Sequence, residues 1–349
     1  MRGGKSPAVI NQYTGVIYDF YKFVAESWHD INLDRVDKVT PLTFFVDGHF
    51  GSKVVTKAKR SQTKPTPPTA PVAIGFVRDE GEDLRPLANL ELGELLKVIR
   101  SDNWSVSERL IMMVSLMTGA RKQTVLTLRM RNLKAFNSNA LKNGSYTIFA
   151  GPGTGVDTKN STPQRLYFPK QLAEELIVYA SSPLAEERRA KFKAKYNEEY
   201  PGLAPLEDDN LYLFLSDQGG CYYMASDDPR YKIQKTPAKG QMTDHLKKKI
   251  LSSAPQFFPK DFSFHWLRAT FAFQLYQKLI PHIKKGELKH GEEISFIQAR
   301  MHHVKRETTE NYLKLFRMHS DKLLAQEAYE DFLFGFTVYD DLKVRDHEE

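Results

Sequence analysis

A proline-rich stretch near residue 65 constrains the folding of this 349-residue chain more than any other feature. It reads SQTKPTPPTAPVAIG, starting at residue 61. Proline lacks a backbone N–H and its ring breaks helices, so the stretch favours an extended, semi-rigid segment. Because typical domains contain about 100–200 residues, two domains are the default for this length. We therefore expect an N-terminal unit at 1–62, a linker at 63–84, a main domain at 85–320 and a tail at 321–349.

The N-terminal unit is expected to be helical and basic. Its apolar side chains recur at three- and four-residue spacing, which places them on one face of an amphipathic helix. These residues are Ile10, Tyr13, Ile17, Phe20, Val24 and Trp28. The basic segment KVVTKAKR follows at 53–60. About sixty residues are few for an independent core, so the unit leans on a partner or is part of something larger. A truncated unit and a divergent one both remain open.

The main domain shows helical patterns interrupted by one pair of strands. The segments LANLELGELLKVIR and SVSERLIMMVSLMTG have helical periodicity, and the second ends at Gly119, which fits a helix end. The segments SYTIFAG and QRLYFP are typical of paired strands around the polar loop PGTGVDTKNSTP. Most of the remaining sequence is helical in pattern. The fold class predicted is therefore mainly α with a small antiparallel β-hairpin, in two domains.

Charge divides the chain into a basic body and an acidic tail. The formal net charge is +7, yet from residue 321 onward the side chains sum to −6, which leaves the body at +13. Such a body favours a polyanionic partner such as nucleic acid, although solvated lysines alone give the same sum. No apolar run approaches the ~18 residues of a membrane span. Cys221 is the single cysteine, which fits a reducing compartment, so we expect a cytoplasmic, nucleoid-associated protein.

Four short segments of the main domain contain residues that could perform chemistry. They are TGARKQTVLTLR with Arg121, the hairpin loop with Lys159, HWLRATFAF with His265 and Arg268, and ARMHHVKRETTENYLKLF with His303 and Tyr312. Each segment alone has an ordinary structural explanation. Tyr312, for example, continues an apolar stripe with Leu313 and Phe316, which is typical of a core aromatic.

Taken together and in this order, the four segments resemble the catalytic domain of the tyrosine recombinase (phage integrase) family. That signature is an arginine in a T-G-x-R turn, a hairpin lysine, an H-x-x-R helix, and a histidine or tryptophan before the tyrosine. The resemblance covers roughly residues 85–320, and Tyr312 follows His303 by nine residues. It implies a catalytic set at these positions: Arg121, Lys159, His265, Arg268, His303 and Tyr312.

The chain departs from the family pattern at two positions. An acidic residue is common three positions after the first arginine, and here that position is Thr124. A small residue, usually glycine, commonly precedes the last histidine, and here it is His302, so the choice between His302 and His303 stays open. Lys170 is the alternative to Lys159 if the hairpin loop is placed differently.

The chemistry of phosphodiester cleavage agrees with these residue types. Negative charge concentrates on the non-bridging oxygens, and guanidinium groups such as Arg121 and Arg268 can offer two donors to a phosphate. His265 and His303 would add hydrogen bonds, and either could help to deprotonate Tyr312. The resemblance implies that Tyr312 attacks to form a phosphotyrosyl intermediate and that Lys159 protonates the leaving 5′-hydroxyl. It implies no cofactor and no metal.

The expected partners are double-stranded DNA recombination sites and further copies of the chain. The tail at 321–349 combines acids with apolar residues, which favours a protein surface over a phosphate backbone. In the family a C-terminal segment couples the subunits of a tetramer, and we expect that role here, with packing on its own domain as the alternative. The expected function is site-specific recombination; a type IB topoisomerase and a non-catalytic DNA-binding protein are the other candidates.

Overall fold

The computed structural model describes residues 7–48, 51–64, 71–79, 81–137, 140–142 and 144–316. Contacts between Cα atoms divide the chain into two compact units, Met1–Pro71 and Val72–Glu349. The predicted oligomerisation tail at 321–349 lies outside the described residues. Within the described ranges, no helix has the length and apolar character needed to cross a membrane.

The first unit combines helices with a long strand pair. Helix α1 spans Pro7–Ser27, the short α2 spans Leu33–Val36, and strands β1, Val39–Gly48, and β2, Gly51–Arg60, pair antiparallel. The prediction of a helical unit is therefore wrong for its second half. The reason is local, because VTPLTFFVDG and GSKVVTKAKR are rich in the β-branched and aromatic residues that favour strands.

Arg60, at the end of β2, connects the strand pair to α1 through contacts of its side chain. Its guanidinium donates to the carbonyl of Thr14 at 2.7 Å and lies 5.6 Å from the centre of the Tyr18 ring. Asp37 accepts from the Ser61 hydroxyl at 2.7 Å nearby. The predicted apolar face of α1 is largely exposed, and Trp28 is 72% exposed.

The second unit is mainly helical with small antiparallel sheets, as predicted. Its helices are α3 Asn89–Ile99, α4 Val106–Thr118, α5 Lys122–Leu126, α6 Lys170–Ala180, α7 Pro183–Glu199, α8 Met242–Ser253, α9 Trp266–Lys284, α10 Glu292–Met301 and α11 at 306–316. Its strands are β3 Val77–Asp79, β4 Glu82–Leu84, β5 Ser145–Ala150 and β6 Gln164–Pro169. The predicted pairing of SYTIFAG with QRLYFP is confirmed, since β5 pairs antiparallel with β6 from Ser145↔Pro169 to Ala150↔Gln164.

Strands β3 and β4 correct the predicted linker. The expected linker ran over 63–84, yet Val77 pairs with Leu84 in an antiparallel hairpin. Both side chains are buried in the core of the second unit. Burial of these two apolar side chains holds the hairpin on the core. A solvent-exposed linker has no such stabilisation. The prediction of an extended linker is therefore wrong for the last third of that range, residues 77–84, which lies beyond the last proline of the stretch.

Helix α4 and its C-terminal glycine are central to the core. Ser105 and Glu108 form a capping box at its start, so its first backbone donors are satisfied. It ends at Gly119, whose φ of 70° lies in the left-handed region. A Cβ built on Gly119 would stand 2.5 Å from the ring of Phe271 on α9. Only glycine fits at this crossing.

We therefore expect Gly119→Ala to lower the free energy of unfolding by about 2 kcal/mol or more, through left-handed strain and the contact with Phe271. The measurement is chemical denaturation of the full chain. Gly93 is the matched control, because it lies inside α3 and a Cβ there meets no atom within 4 Å. Gly93→Ala should raise stability by about 0.5–1 kcal/mol. Equal effects of the two substitutions would contradict this account.

Candidate active site

The predicted site residues converge in the second unit from segments far apart in sequence. Arg121 directly precedes α5, His265 and Arg268 lie at the start of α9, His303 lies between α10 and α11, and Tyr312 lies on α11. A cavity of about 270 Å³ is lined by several of them. Its lining includes Asp79, Arg121, Lys159, His302, His303 and Thr308.

Asp79, at the end of β3, lies where these side chains meet. Its Oδ2 atom accepts from the Tyr312 hydroxyl at 3.2 Å and lies 3.8 Å from Nε2 of His265 and 3.9 Å from Nη2 of Arg121. Asp79 is 8% exposed. Burial acts to raise the pKa of this carboxyl, but the charges of His265, Arg268 and Arg121 outweigh it and lower the pKa.

Arg268 is almost fully buried and joins two helix ends. Its guanidinium donates to the carbonyl of Gly119, which follows α4, and to the carbonyl of Met301, the last residue of α10. Carbonyls at helix C-termini carry partial negative charge, so they suit a buried cation. This contact places Arg121 and His303 near each other, because each lies two residues beyond one of the two carbonyls.

Thr124 does not replace the acidic residue that the family pattern has at its position. Its hydroxyl donates to the carbonyl of Asp157 at 2.9 Å, two residues before Lys159. Asp79 provides the carboxylate beside Arg121 instead. The acidic partner of the first arginine therefore comes from β3 rather than from α5.

His303 is buried and packs against the tyrosine. The centres of the His303 and Tyr312 rings are 5.3 Å apart, and Nδ1 of His303 lies 3.0 Å from the hydroxyl of Thr309. Its Nε2 atom is buried and has no hydrogen-bond partner among the described residues. Burial, followed by the charge of Arg268, lowers the pKa of His303 well below its ordinary value. The ring is thus neutral near pH 7.

His302 has a structural role distinct from that of its neighbour. It caps α10 in the left-handed region, with φ 51° and ψ 43°, which explains why a small residue is favoured at this position. Its Nε2 atom accepts from the backbone N–H of Arg165 at 3.2 Å. Burial, with a further contribution from the Arg268 charge, lowers the pKa of His302 to about 4. His303, rather than His302, lies against Tyr312.

Tyr312 is fully buried. Burial, followed by the negative charge of Asp79, raises its pKa above the ordinary value. Its ring also lies 5.9 Å from that of Phe316 in an edge-on arrangement. The structural explanation of Tyr312 as a core aromatic therefore describes this conformation correctly, and the hydroxyl is directed at a carboxylate.

The two candidate lysines differ in position. Lys159 lies in a short turn, Lys159–Ser161, and lines the same cavity as Arg121. Asn160 and Ser161 both have left-handed backbone, with φ of 55° and 52°. Lys170 begins α6, where its mostly exposed ammonium lies 3.8 Å from Glu174. The structure places Lys159, and not Lys170, in the cavity lining.

Sequence reasoning missed Asp79. The segment FVRDEGEDL contains four acids around a glycine and resembles an exposed turn. Its hairpin could have been predicted from Gly81, because glycine is favoured in tight turns, and the structure gives this residue a φ of 81°. Nothing in the segment distinguishes Asp79 from the other acids. In the described part of the chain, no group of three or more histidine, cysteine, aspartate or glutamate side chains is placed to hold a metal ion.

Comparisons with known proteins give similarity to solved structures alone. No protein-family profile matches the sequence, and no curated protein matches it. XerH site-specific recombinase bound to difH substrate, in a pre-cleavage complex, is 20% identical with a TM-score of 0.39, covering 65% of this chain and 49% of that chain. The match thus spans about half of the XerH chain.

Two further structures are similar at the same level. The Tn1549 transposon integrase in complex with circular intermediate DNA is 16% identical with a TM-score of 0.39, covering 88% of this chain and 75% of that chain. XerA recombinase is 18% identical with a TM-score of 0.37, covering 68% and 64%. Similarity of this extent does not establish a family, and the proposals below rest on the geometry of the site.

The lowered pKa of His302 predicts how stability depends on pH. In the unfolded chain His302 takes up a proton near pH 6.5, its ordinary pKa. In the folded state it takes up that proton only near pH 4. This contribution to stability is therefore complete above pH 6.5 and is lost as pH falls from 6.5 to about 4. We expect His302→Gln to flatten the pH dependence of the unfolding midpoint in that range.

The control is His29→Gln, which changes an exposed histidine of the first unit. Thermal unfolding at pH 7, 6, 5 and 4.5 provides the measurement. Lowered carboxyl pKa values affect stability chiefly below the ordinary carboxyl range, so the slope above pH 5 reports the histidines. A slope that His302→Gln leaves unchanged would show that His302 is not held neutral in the folded state.

Proposed function

We propose that this chain is a tyrosine recombinase, a site-specific enzyme that cleaves and rejoins DNA strands through a 3′-phosphotyrosyl intermediate. One observation carries the proposal: two guanidinium groups, two imidazoles and a tyrosine from three distant segments meet around a single point, at Asp79. Structural roles explain each residue alone, but they do not explain a concentration of buried cationic groups at one tyrosine hydroxyl.

The cationic side chains suit the cleavage of a phosphodiester. As the tyrosine oxygen bonds to phosphorus and the 5′-oxygen leaves, charge builds on the two non-bridging oxygens. Arg121 and Arg268 remain cationic at any working pH and can direct several N–H donors at those oxygens. His265 is 3.8 Å from the same carboxylate oxygen that the arginine approaches, which makes it a further donor to a bound phosphate.

Two proton transfers complete the proposed reaction. Tyr312 must lose its proton as its oxygen forms the bond to phosphorus, and the neutral His303 ring beside it is the proposed acceptor. The 5′-oxygen must gain a proton as its bond to phosphorus breaks, and Lys159 is the proposed donor because it lines the cavity. Rejoining is the reverse, in which a 5′-hydroxyl attacks the phosphotyrosine and Tyr312 leaves. No ATP is consumed.

The remaining parts of the chain would support DNA binding and assembly. Residues 1–320 sum to +13, and strand β2 contains Lys53, Lys57 and Lys59. Neutralising phosphates with such side chains releases counterions, so binding to duplex DNA should weaken steeply with salt. We propose that the first unit contacts duplex DNA and that the tail at 321–349 couples subunits of a tetramer.

A randomised DNA pool tests the nucleophile whatever the DNA site is. The protein is incubated with a pool of nicked duplexes of randomised sequence, SDS is added, and DNA bound covalently to protein is retained on a filter and sequenced. A covalent fraction enriched in one sequence is expected, and Tyr312→Phe should lose at least 10³-fold of it, roughly the size of losing a nucleophile.

The control for folding is Tyr276→Phe, which changes another buried tyrosine of the second unit and should retain the adduct. An adduct that survives Tyr312→Phe would place the nucleophile elsewhere. Relaxation of supercoiled plasmid without any sequence enrichment would indicate a topoisomerase. Retention of DNA without any covalent fraction would indicate a binding protein.

The proposed acid can be tested with the duplex recovered from that pool. We expect Lys159→Ala to slow adduct formation by about 10²–10⁴-fold, the range for loss of a general acid. Replacing the 5′-bridging oxygen by sulfur should restore most of the rate, because a thiolate leaves without protonation. Lys170→Ala is the matched control and should react as the unmodified protein does. If sulfur does not rescue Lys159→Ala, the lysine acts in another way.

A further inference from the structure

Asp79 is unexplained by the proposed reaction, because a carboxylate beside the scissile phosphate would repel it. Building on the proposed function, we propose that the Asp79 carboxylate occupies the anion site of the DNA-free protein and that a DNA phosphate binds by displacing it. Asp79 is then a positioning residue that neutralises the cations and holds Tyr312 until DNA arrives.

The geometry around Asp79 is that of a bound anion. One oxygen, Oδ2, is approached by the Tyr312 hydroxyl, by Nε2 of His265 and by Nη2 of Arg121, at 3.2, 3.8 and 3.9 Å. A phosphate oxygen in the proposed reaction requires the same kinds of group. The carboxylate is therefore placed where the non-bridging oxygens would be stabilised.

Charge balance provides an independent reason. Arg121 and Arg268 are both buried, and burying like charges together is costly without a counter-charge. Asp79 lies beside Arg121, His265 and Tyr312 and provides negative charge there. An anion at this position, either Asp79 or an incoming phosphate, offsets the buried cationic charge, and the two compete for the position.

The location of Asp79 makes displacement possible without unfolding. It ends the three-residue strand β3, whose Val77 pairs with Leu84 of β4, and both of these side chains are buried anchors. Arg78 and Asp83 form an exposed ion pair on the other face of the hairpin, at 2.6 Å. The anchors can stay in place while the Asp79 side chain rotates out of the site.

A role for Asp79 as the base that deprotonates Tyr312 fits less well. The carboxylate occupies the position at the Tyr312 hydroxyl that the phosphate must take, so it cannot stay there while Tyr312 attacks. The hydrogen bond instead keeps the proton on Tyr312, which makes the DNA-free protein unreactive.

The first test uses inorganic sulfate as the anion and needs no DNA. Thermal unfolding of the full chain is measured in sodium chloride and in sodium sulfate at equal ionic strength. In chloride, Asp79→Asn should unfold at a lower temperature than the unmodified protein, because the cations lose their counter-charge. Sulfate should raise the Tm of Asp79→Asn by about 3 °C more than it raises that of the unmodified protein.

Asp83→Asn is the matched control, since it removes an acid from the same hairpin but from its exposed face. It should respond to sulfate as the unmodified protein does. Adding Arg121→Gln to Asp79→Asn should abolish the extra response to sulfate. An Asp79→Asn protein that is unfolded in chloride but folded in sulfate supports the proposal. Equal sulfate responses in all proteins, or a variant unfolded in both salts, would overturn it.

The second test uses the duplex recovered from the randomised pool. At low duplex concentration, Asp79→Asn should reach half of its maximal adduct yield at about tenfold less DNA, since one unit of competing charge is removed. Loss of adduct formation in Asp79→Asn would instead assign Asp79 a direct part in proton transfer. The two proposals can fail separately, because the sulfate response reports the anion site even if no DNA adduct forms.

Discussion

The buried guanidinium of Arg268 is the interaction on which the site depends. It donates to the carbonyls of Gly119 and Met301, and so it joins the C-terminal ends of α4 and α10. Two residues beyond those carbonyls lie Arg121 and His303. One side chain on α9 therefore sets the separation of two other site segments, and its own charge lies within the site. A lysine could not make this connection, because its single ammonium lacks the planar fork that reaches two carbonyls at once.

A second constraint is the state of Tyr312, the proposed nucleophile. Tyr312 is buried, is bonded to Asp79 and has a raised pKa. Such a tyrosine packs like any core aromatic. The side chains around it, Arg121, Arg268 and His303, are what indicate a catalytic role. The proposed protection of Tyr312 by the Asp79 carboxylate has a clear physical benefit, since a reactive tyrosine in a strongly cationic pocket would react with any phosphate that entered it.

Sequence reasoning predicted the helical character of the second unit, the β5–β6 hairpin and the set of residues that the site brings together. Periodicity was sufficient for the helices and the hairpin, because local pattern determines a long helix and a short hairpin. The site residues came from the resemblance of four segments to a family signature. The choice between His302 and His303 required structure, since adjacent residues have the same local sequence and only the left-handed backbone of His302 separates their roles. The long strand pair of the first unit was missed because alternating lysines were interpreted as charge rather than as a strand.

Asp79 shows most plainly what sequence could not supply. Its partner Tyr312 is 233 positions away, and a contact at that separation leaves no local signal. The departure at Thr124 left the acidic partner of Arg121 unassigned, and several acids could have filled that role. The predicted linker also included Asp79, because it extended past the prolines into a short hairpin with two buried apolar side chains.

The central claim is that Tyr312 becomes covalently joined to DNA. The most direct measurement is mass spectrometry of the protein after reaction with duplex DNA, nuclease digestion and proteolysis, with the modified residue located by fragmentation. The account predicts a nucleotide attached through its 3′-phosphate to Tyr312, within the peptide that contains Glu310 and Asn311. A nucleotide on another side chain, a 5′-phosphate linkage, or strand cleavage without any attached nucleotide would contradict it.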